Sequence, residues 1–509
     1  MHPGLLHDGL AYWARRSPDK RAIVIDRGAS LTYRALHAWS DTLGAHLQER
    51  GVAPGDVIAI AGTNSLAWAA AAFAAMKAGA IVAPFNDRLV GEELVFLDGM
   101  VAPRLVLADA PRADLLRKAG VTTPIFSLED AVRFRDAPAA TPRDVATSSD
   151  SVAMIMFTSG STARPKGAMM THASYLAKFH EMRILDATLG PDTNSFMPFG
   201  LHASPGLAWG LLFMAQLGGT LHITERYQAE RTLRALEGEA IGFFIGVPMI
   251  YDQVSQLPGF AAADLSALTF ARVGGASVSD AVLARWRDKG VIVRQLYGMS
   301  EMGGGSVIAT QEEALARPQS CGRGLAFTKF RIVDAEGRPC APGEPGHVLL
   351  RGPGMMAGYW RDPEATAAAV VDGWMQTGDI GVVDEEGYFT FVDRAKEMIK
   401  SGGFNVSPAE IESVLSSLPG VVECAVFAVP DETFGETACA CVRLQGGVTA
   451  ESVYQHCAAR LAAFKLPRYV IVMDTPLPRL ANEKIDRRKL KAEYAEPSRR
   501  PAKIGASRE

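Results

Sequence analysis

The residues best suited to chemistry in this chain of 509 lie together in Thr158-Ser159-Gly160-Ser161-Thr162-Ala163-Arg164-Pro165-Lys166-Gly167. They directly follow the apolar run Ala153-Met154-Ile155-Met156-Phe157, which reads as a buried strand. A hydroxyl-rich, glycine-punctuated loop leaving such a strand offers backbone N–H groups, Ser and Thr hydroxyls and one Lys charge to a polyphosphate. That predicts an ATP site. It is not a Walker A loop, because Pro165 holds the Gly position and Gly167 the hydroxyl position. The plain alternative is a polar surface loop with a stray lysine.

Two further constellations point the same way. Leu296-Tyr297-Gly298-Met299-Ser300-Glu301 follows the apolar run Val291-Ile292-Val293. A lone acid there is ordinarily a helix cap, but Tyr297 offers a face for a purine, Ser300 a hydroxyl, and Glu301 a hard oxygen for Mg2+, which takes one or two carboxylates plus phosphates. In Gln376-Thr377-Gly378-Asp379, the acid in a Gly-flanked turn is either structural or an acceptor for ribose hydroxyls, with Asp393-Arg394 following. Gly352-Pro353-Gly354-Met355-Met356-Ala357 superficially fits a dinucleotide fingerprint but lacks the strand-to-helix unit and ribose acid.

Positioning these residues requires a layered scaffold. The length exceeds one hydrophobic core, so at least two domains are expected. Apolar strands such as Val57-Ile58-Ala59-Ile60, Leu105-Val106-Leu107 and Phe243–Val247 alternate with helical segments, predicting parallel sheets with helices on their faces. Leu66 to Phe85 is expected as a buried amphipathic helix capped by Asn64-Ser65, followed by a strand at Ala80–Ala83. After about Asp393 a small α+β unit is expected. Ser407-Pro408-Ala409-Glu410 opens its helix with an N-cap, Pro at the first position and Glu closing a capping box. The boundaries are placed at 1–393, 394–495 and a disordered Pro/Ser/basic tail at 496–509.

Composition excludes several classes. A net charge of −4 gives no basic footprint for nucleic acid, and six cysteines without a CxxC pair give neither a disulfide framework nor a zinc site. No secretory signal or integral membrane segment is visible, so the cytoplasm is the expected location. A homodimer stays open.

Taken in order, the separated motifs resemble the adenylate-forming (AMP-binding) enzymes, which include acyl-CoA synthetases, aryl-CoA ligases, luciferases and the adenylation domains of nonribosomal peptide synthetases. The resemblance spans Leu31-Thr32-Tyr33-Arg34 to Lys489-Leu490. It implies an α/β fold: a large N-terminal domain of layered sheet-and-helix subdomains plus a barrel-like part, and a small mobile α+β C-terminal domain hinged near Lys396. It implies that Thr158, Ser159, Gly160, Ser161, Thr162 and Lys166 hold phosphates, that Gly274, Gly275, Ala276 and Ser277 line the adenine and acyl pocket with Tyr297, Gly298 and Ser300, and that Glu301 holds Mg2+. Asp379 and Arg394 would grip the ribose. Lys484, which alone reads as part of a solvated basic run, matches the adenylation lysine, although Glu483 stands where the family usually has Gly. Lys166, His202 and Lys400 are further catalytic candidates, and Ser401-Gly402-Gly403 resembles the segment along which a pantetheine arm threads.

No acid stands in Pro198–Gly206 to pair with a substrate ammonium, so an amino acid substrate is disfavoured. Small residues (Ala203, Gly206, Gly246, Gly274, Gly275, Ala276, Gly303-Gly304-Gly305) are expected to leave room for a medium or long aliphatic or an aryl acid. The resemblance therefore implies a ligase using ATP, Mg2+ and coenzyme A, with an acyl-AMP ligase that loads a carrier protein as the alternative.

Overall fold

The structure, a computed structural model, describes residues 4–26, 28–158, 165–276, 278–401, 404–431, 434–480 and 484–504. The chain forms two compact units. One comprises Met1–Gly275, Arg285–Phe330 and Leu350–Gln376; the other comprises Ala276–Ala284, Arg331–Leu349 and Thr377–Glu509. The boundary expected at 393 falls inside the second unit. The cause is a strand pair: Trp374–Val383 runs antiparallel to Phe389–Arg394 with Asp379 opposite Arg394, so these residues share one sheet.

The larger unit contains two sheets. The first orders Gly358–Tyr359, Lys166–Thr171, Val152–Thr158, Ile81–Phe85, Val57–Ala61, Leu105–Ala108 and Ile125–Ser127. Its middle is parallel, as expected, and Val152–Thr158 turns back antiparallel into Lys166–Thr171, with Thr158 opposite Lys166. Every residue of Val57–Ala61 is buried, the continuous apolar pattern of a strand covered on both faces. The helix Leu66–Lys77 is capped by Ser65, but it is not amphipathic: residues Ala67 through Lys77 are all buried. Alanines fit it on every side, and the Lys77 ammonium is satisfied by Asp41 at 2.6 Å, Ser40 and His37. The following strand is Ile81–Phe85, one residue later than expected.

The second sheet orders Gly304–Ile308, Val293–Met299, Phe270–Val273, Phe243–Gly246, Asn194–Met197, Thr220–Ile223, Arg21–Ile25 and Ala29–Thr32. The strand expected at Val291–Val293 begins at Val293 and continues to Met299, so Tyr297 and Gly298 lie in it rather than after it. The antiparallel return Gly304–Ile308 supplies the extra pairing that extends it.

In the smaller unit, strands from Lys329–Val333, Gly346–Arg351, Trp374–Val383 and Phe389–Arg394 contribute to a half-barrel sheet. Beyond it a sheet orders Phe404–Val406, Ile399–Ser401, Gly435–Leu444 and Val421–Asp431, with Tyr469–Val472 parallel to Gly435–Leu444. Both faces of this sheet are buried. Val426, Ala440 and Val442 pack with Ile411 and Leu415, while Phe427, Cys439 and Cys441 pack with Leu477 and Leu490, the two-residue alternation of a strand between layers. Ser407 caps the helix Pro408–Ser416, yet the expected reciprocal bond from Glu410 gives way to an ion pair with Lys465 at 2.6 Å. Asp393 takes up the helix start instead, accepting from Ser407 Oγ at 2.7 Å and Ala409 N at 3.0 Å. The tail expected to be disordered docks through Ile504. Arg500 donates to the carbonyls of Pro430 and Ala495, Lys503 meets Asp431 at 2.9 Å, and Ile504 N donates to Arg468 O. Its basic residues find acceptors on the sheet, which composition did not reveal.

Candidate active site

The hairpin that carries the phosphate-loop residues places Thr158 and Lys166 face to face across two strands. Thr158 Oγ1 is buried and has no hydrogen-bond partner among the described residues. Ser159, Gly160, Ser161 and Thr162 lie outside the described residues, as do Ser277, Gly402 and Gly403. Lys166 Nζ stands 4.9 Å from the ring centroid of Tyr359, and the Tyr359 hydroxyl donates to Glu301 Oε1 at 3.0 Å. One aromatic residue thus joins the lysine to the carboxylate. Sequence reasoning missed Tyr359; its only signal is Gly358-Tyr359-Trp360, whose Trp360 N donates to Gly167 O at 2.7 Å. Burial, then the Glu301 charge, raises the Tyr359 pKa, so its hydroxyl remains a proton donor at neutral pH.

Glu301 sits in the single 3-10 turn Ser300–Met302, only 6% exposed, with its carbonyl accepting from Met356 N at 2.7 Å. No group of three or more metal-type side chains occurs among the described residues. A lone buried carboxylate suits Mg2+, which completes its shell from water and phosphate oxygens rather than from an all-protein cage.

Tyr297 is buried on its strand, and Gly274-Gly275 follows the neighbouring strand Phe270–Val273. The small residues do not leave the expected open room. A Cβ on Gly206 would meet the Gly200 carbonyl, on Gly246 the Tyr251 ring, on Gly274 the Leu296 side chain, and on Gly304 the Trp209 indole. Close packing, not free volume, is why glycine stands at these positions. Trp209 Nε1 donates to Gly303 O at 3.2 Å, and Trp209, Phe179 and Phe213 form a mutual ring cluster with centroids 5.0 to 5.5 Å apart. Gly275, at φ +85°, meets only Val247 at an ordinary 3.6 Å. His202 is not the lone residue its apolar surroundings suggested: Nδ1 lies 3.5 Å from Asp87 Oδ1, and burial outweighs that carboxylate in lowering its pKa.

In the smaller unit, Arg394 Nε meets Asp379 Oδ1 at 2.8 Å across the paired strands, and Asp379 is 3% exposed. The pair is therefore built by register. Lys396 lies in the turn closed by Glu397 N donating to Arg394 O at 2.9 Å. Lys484 shares the same charge field. Desolvation lowers its pKa first, Arg394 and Arg487 add to that, and Glu397 and Asp379 oppose it. Lys400 is exposed, its backbone N donating to Glu436, and Ser401 is buried where its strand meets Gly435.

Residues 10–360 match the AMP-binding enzyme family, and residues 410–484 match the AMP-binding enzyme C-terminal domain. The chain belongs to this family. It is 34% identical to a feruloyl-CoA synthase of an Amycolatopsis species over 491 residues, covering 94% of this chain and 98% of that protein. It is also 34% identical to the long-chain-fatty-acid–CoA ligase FadD13 of Mycobacterium tuberculosis, covering 91% and 93%. Among solved structures, o-succinylbenzoate CoA synthetase (MenE) of Bacillus subtilis with the acyl-adenylate intermediate OSB-AMP superposes with a TM-score of 0.86, at 26% identity over 95% of this chain and 97% of that one. These relatives are named as acid–CoA ligases, and the MenE enzyme of Bacillus subtilis has also been solved in complex with ATP and a magnesium ion. No described helix is long and apolar enough to cross a membrane.

Proposed function

We propose that this chain is an ATP-dependent carboxylic acid–CoA ligase that forms an enzyme-bound acyl-adenylate and then an acyl-CoA thioester. The observation that carries this reading is the joining of Lys166 and Glu301 through Tyr359, with Lys166 paired across the strands with Thr158, whose buried hydroxyl has no partner among the described residues. That donor set suits a metal-bound polyphosphate.

In the first half-reaction a carboxylate oxygen of the acid bonds to the α-phosphorus of ATP and pyrophosphate leaves. Two anions must be brought together, so the protein's task is positioning and charge cancellation. Tyr297 stacks on adenine, Asp379 accepts the ribose hydroxyls with Arg394 beside it, Lys166 and Lys484 meet the phosphates, and Glu301 would hold Mg2+. The metal supplies charge neutralisation on the phosphate oxygens. In the second half-reaction the thiol sulfur bonds to the acyl carbon, the acyl–phosphate C–O bond breaks, and AMP leaves. Ser401 and its neighbours guide the pantetheine arm, with Lys400 beside them, and His202, kept neutral by burial, lines the acyl side.

The acid is a medium or long aliphatic or an aryl carboxylate. Relatives named for an aryl and for a fatty acid stand at the same identity, so similarity does not choose between them. A panel graded in chain length and aromaticity, read by pyrophosphate release with and without CoA, tests the proposal. Acid-dependent pyrophosphate release and CoA-dependent AMP release are expected. Release of pyrophosphate without any CoA-dependent thioester would move the reading to a ligase that loads a carrier protein.

A further inference from the structure

Lys484 stands on a loop whose two arms are each gripped by a carboxylate. Leu480 N donates to Lys484 O at 2.8 Å, Asp486 N donates to Pro478 O at 2.7 Å, and Arg479 bridges to Ile485, which closes the loop at its base. On the first arm, Glu423 accepts from Leu477 N at 3.0 Å and from Arg479 Nη2 at 2.6 Å. On the second, Glu412 takes Arg487 in a two-pronged pair: Nη2 lies 2.6 Å from Oε2 and 2.8 Å from Oε1, and Nε lies 3.2 Å from Oε1. Glu412 Oε1 also accepts from Val426 N at 2.7 Å, so the grip is tied to both the helix Pro408–Ser416 and the strand Val421–Asp431. Glu397, in the turn after Arg394, lies 3.6 Å from Arg487.

Burial raises the Glu412 pKa and Arg487 pulls it back. A partly buried pair of this kind is a poor source of stability, since desolvation consumes most of the attraction. Its forked geometry, however, fixes orientation in a way a single ammonium does not. Arg487 lies three residues beyond Lys484 and just inside the helix Arg487–Glu493, so whatever fixes its guanidinium fixes the second arm of the loop.

We propose that the Glu412–Arg487 pair is a positioning device for Lys484, holding its ammonium in the field of Asp379 and Arg394 for the first half-reaction. The inference rests on the reading of Lys484 as the adenylation lysine. The test uses the full chain and two variants. Replacing both partners, Glu412→Leu with Arg487→Leu, leaves no uncompensated buried charge; Arg487→Lys keeps the charge and removes the fork. Carboxylate-dependent ATP–pyrophosphate exchange should fall roughly 10- to 100-fold in kcat, the scale of a small misplacement, with KM for ATP little changed. Thioester formation from supplied acyl-adenylate should hold. The alkaline limb of exchange should also move to higher pH in the paired variant, because Arg487 is one of the charges that lower the Lys484 pKa.

Exchange left intact in either folded variant, or both half-reactions falling together with the melting temperature, overturns the device. In a Lys484→Ala background the paired change should cost nothing more, and a further additive loss also overturns it. If Lys484→Ala by itself leaves exchange intact, the reading of Lys484 has failed. If Lys484→Ala abolishes exchange while the paired variant retains it, the positioning pair alone has failed.

Discussion

The surroundings of Glu301 and of Lys484 are built by opposite means. Glu301 is buried, pinned through its backbone by Met356 and through its carboxylate by Tyr359, in a region where strands approach so closely that glycine is the only residue that fits. Lys484 stands on a loop anchored by polar grips on both arms, Glu423 taking Arg479 and Glu412 taking Arg487. A metal-type ligand must be preorganised in place, which packing achieves. On the proposed reading of Lys484 as the adenylation lysine, the carboxylate grips on its two arms serve to place its charge. Substitutions near Glu301 should therefore damage nucleotide handling generally, and substitutions of Lys484 should separate the two half-reactions.

The sharpest break in that comparison is Lys484→Ala. Adenylate formation should drop by at least roughly 100-fold, the usual cost of losing one preorganised charge donor, while thioester formation from supplied acyl-adenylate largely survives. Single-turnover assays of each half-reaction decide this. Equal retention of both would make Lys484 a surface residue.

Next in size is Lys396→Pro. The Arg394 carbonyl closes the turn by accepting from both Glu397 N and Met398 N, and proline at the turn's third position fixes φ and restricts Ala395 as well. We expect pyrophosphate exchange to persist, because it needs only the arrangement in which Lys484 shares a field with Asp379, and thioester formation to fall by a much larger factor. Equal losses in a variant folded by circular dichroism would refute a two-orientation mechanism.

Tyr359→Phe examines the rigid side. The ring facing Lys166 stays and the bond to Glu301 goes; a hydrogen bond to a charged group is worth about 1.5–3 kcal/mol, so roughly tenfold or more is at stake. Mg2+ titrations of exchange should show a weakened apparent affinity, and thioester formation should change little. An unaltered Mg2+ dependence would mean that Tyr359 only fills space.

Much of this arrangement was legible in the sequence, for identifiable reasons. Thr158, Lys166, Glu301 and Asp379 stand out by occurring together in one chain, since each alone has an ordinary structural use, and the alternation of apolar segments foretold the parallel strands of the larger unit. Tyr359 was not legible, since a Gly-Tyr pair carries no chemistry until the fold brings it between Lys166 and Glu301. The glycines misled in a different way. Composition cannot distinguish a glycine that leaves a cavity from one pressed against Leu296 or Trp209, so enlarging Gly206 or Gly304 is expected to disturb packing rather than to tune acyl length. The docked tail at 497–504 and the all-round burial of Ala67 to Lys77 escaped for the same reason: both depend on partners distant in the chain.

The smallest expected effect tests the rigid unit without touching the site. His172 Nδ1 accepts from Leu6 N at 3.1 Å, and the His7 ring lies edge-on to it at 6.1 Å between centroids. Burial, followed by the Lys77 charge, lowers the His7 pKa to about 3; burial, followed by His7, lowers that of His172 to about 4. Unfolded histidines take a proton near pH 6.5, so between about pH 6.5 and 4 the unfolded chain binds more protons than the folded one. Stability must then fall as pH falls through that window and level off above it. His172→Asn keeps an acceptor for Leu6 N and removes one titrating ring. Its urea midpoint should sit slightly below that of the parent at pH 7.5 and decline less steeply toward pH 5, with both half-reactions unchanged at neutral pH. Parallel midpoint-versus-pH curves for the two proteins would show that the acid sensitivity of this unit has another source.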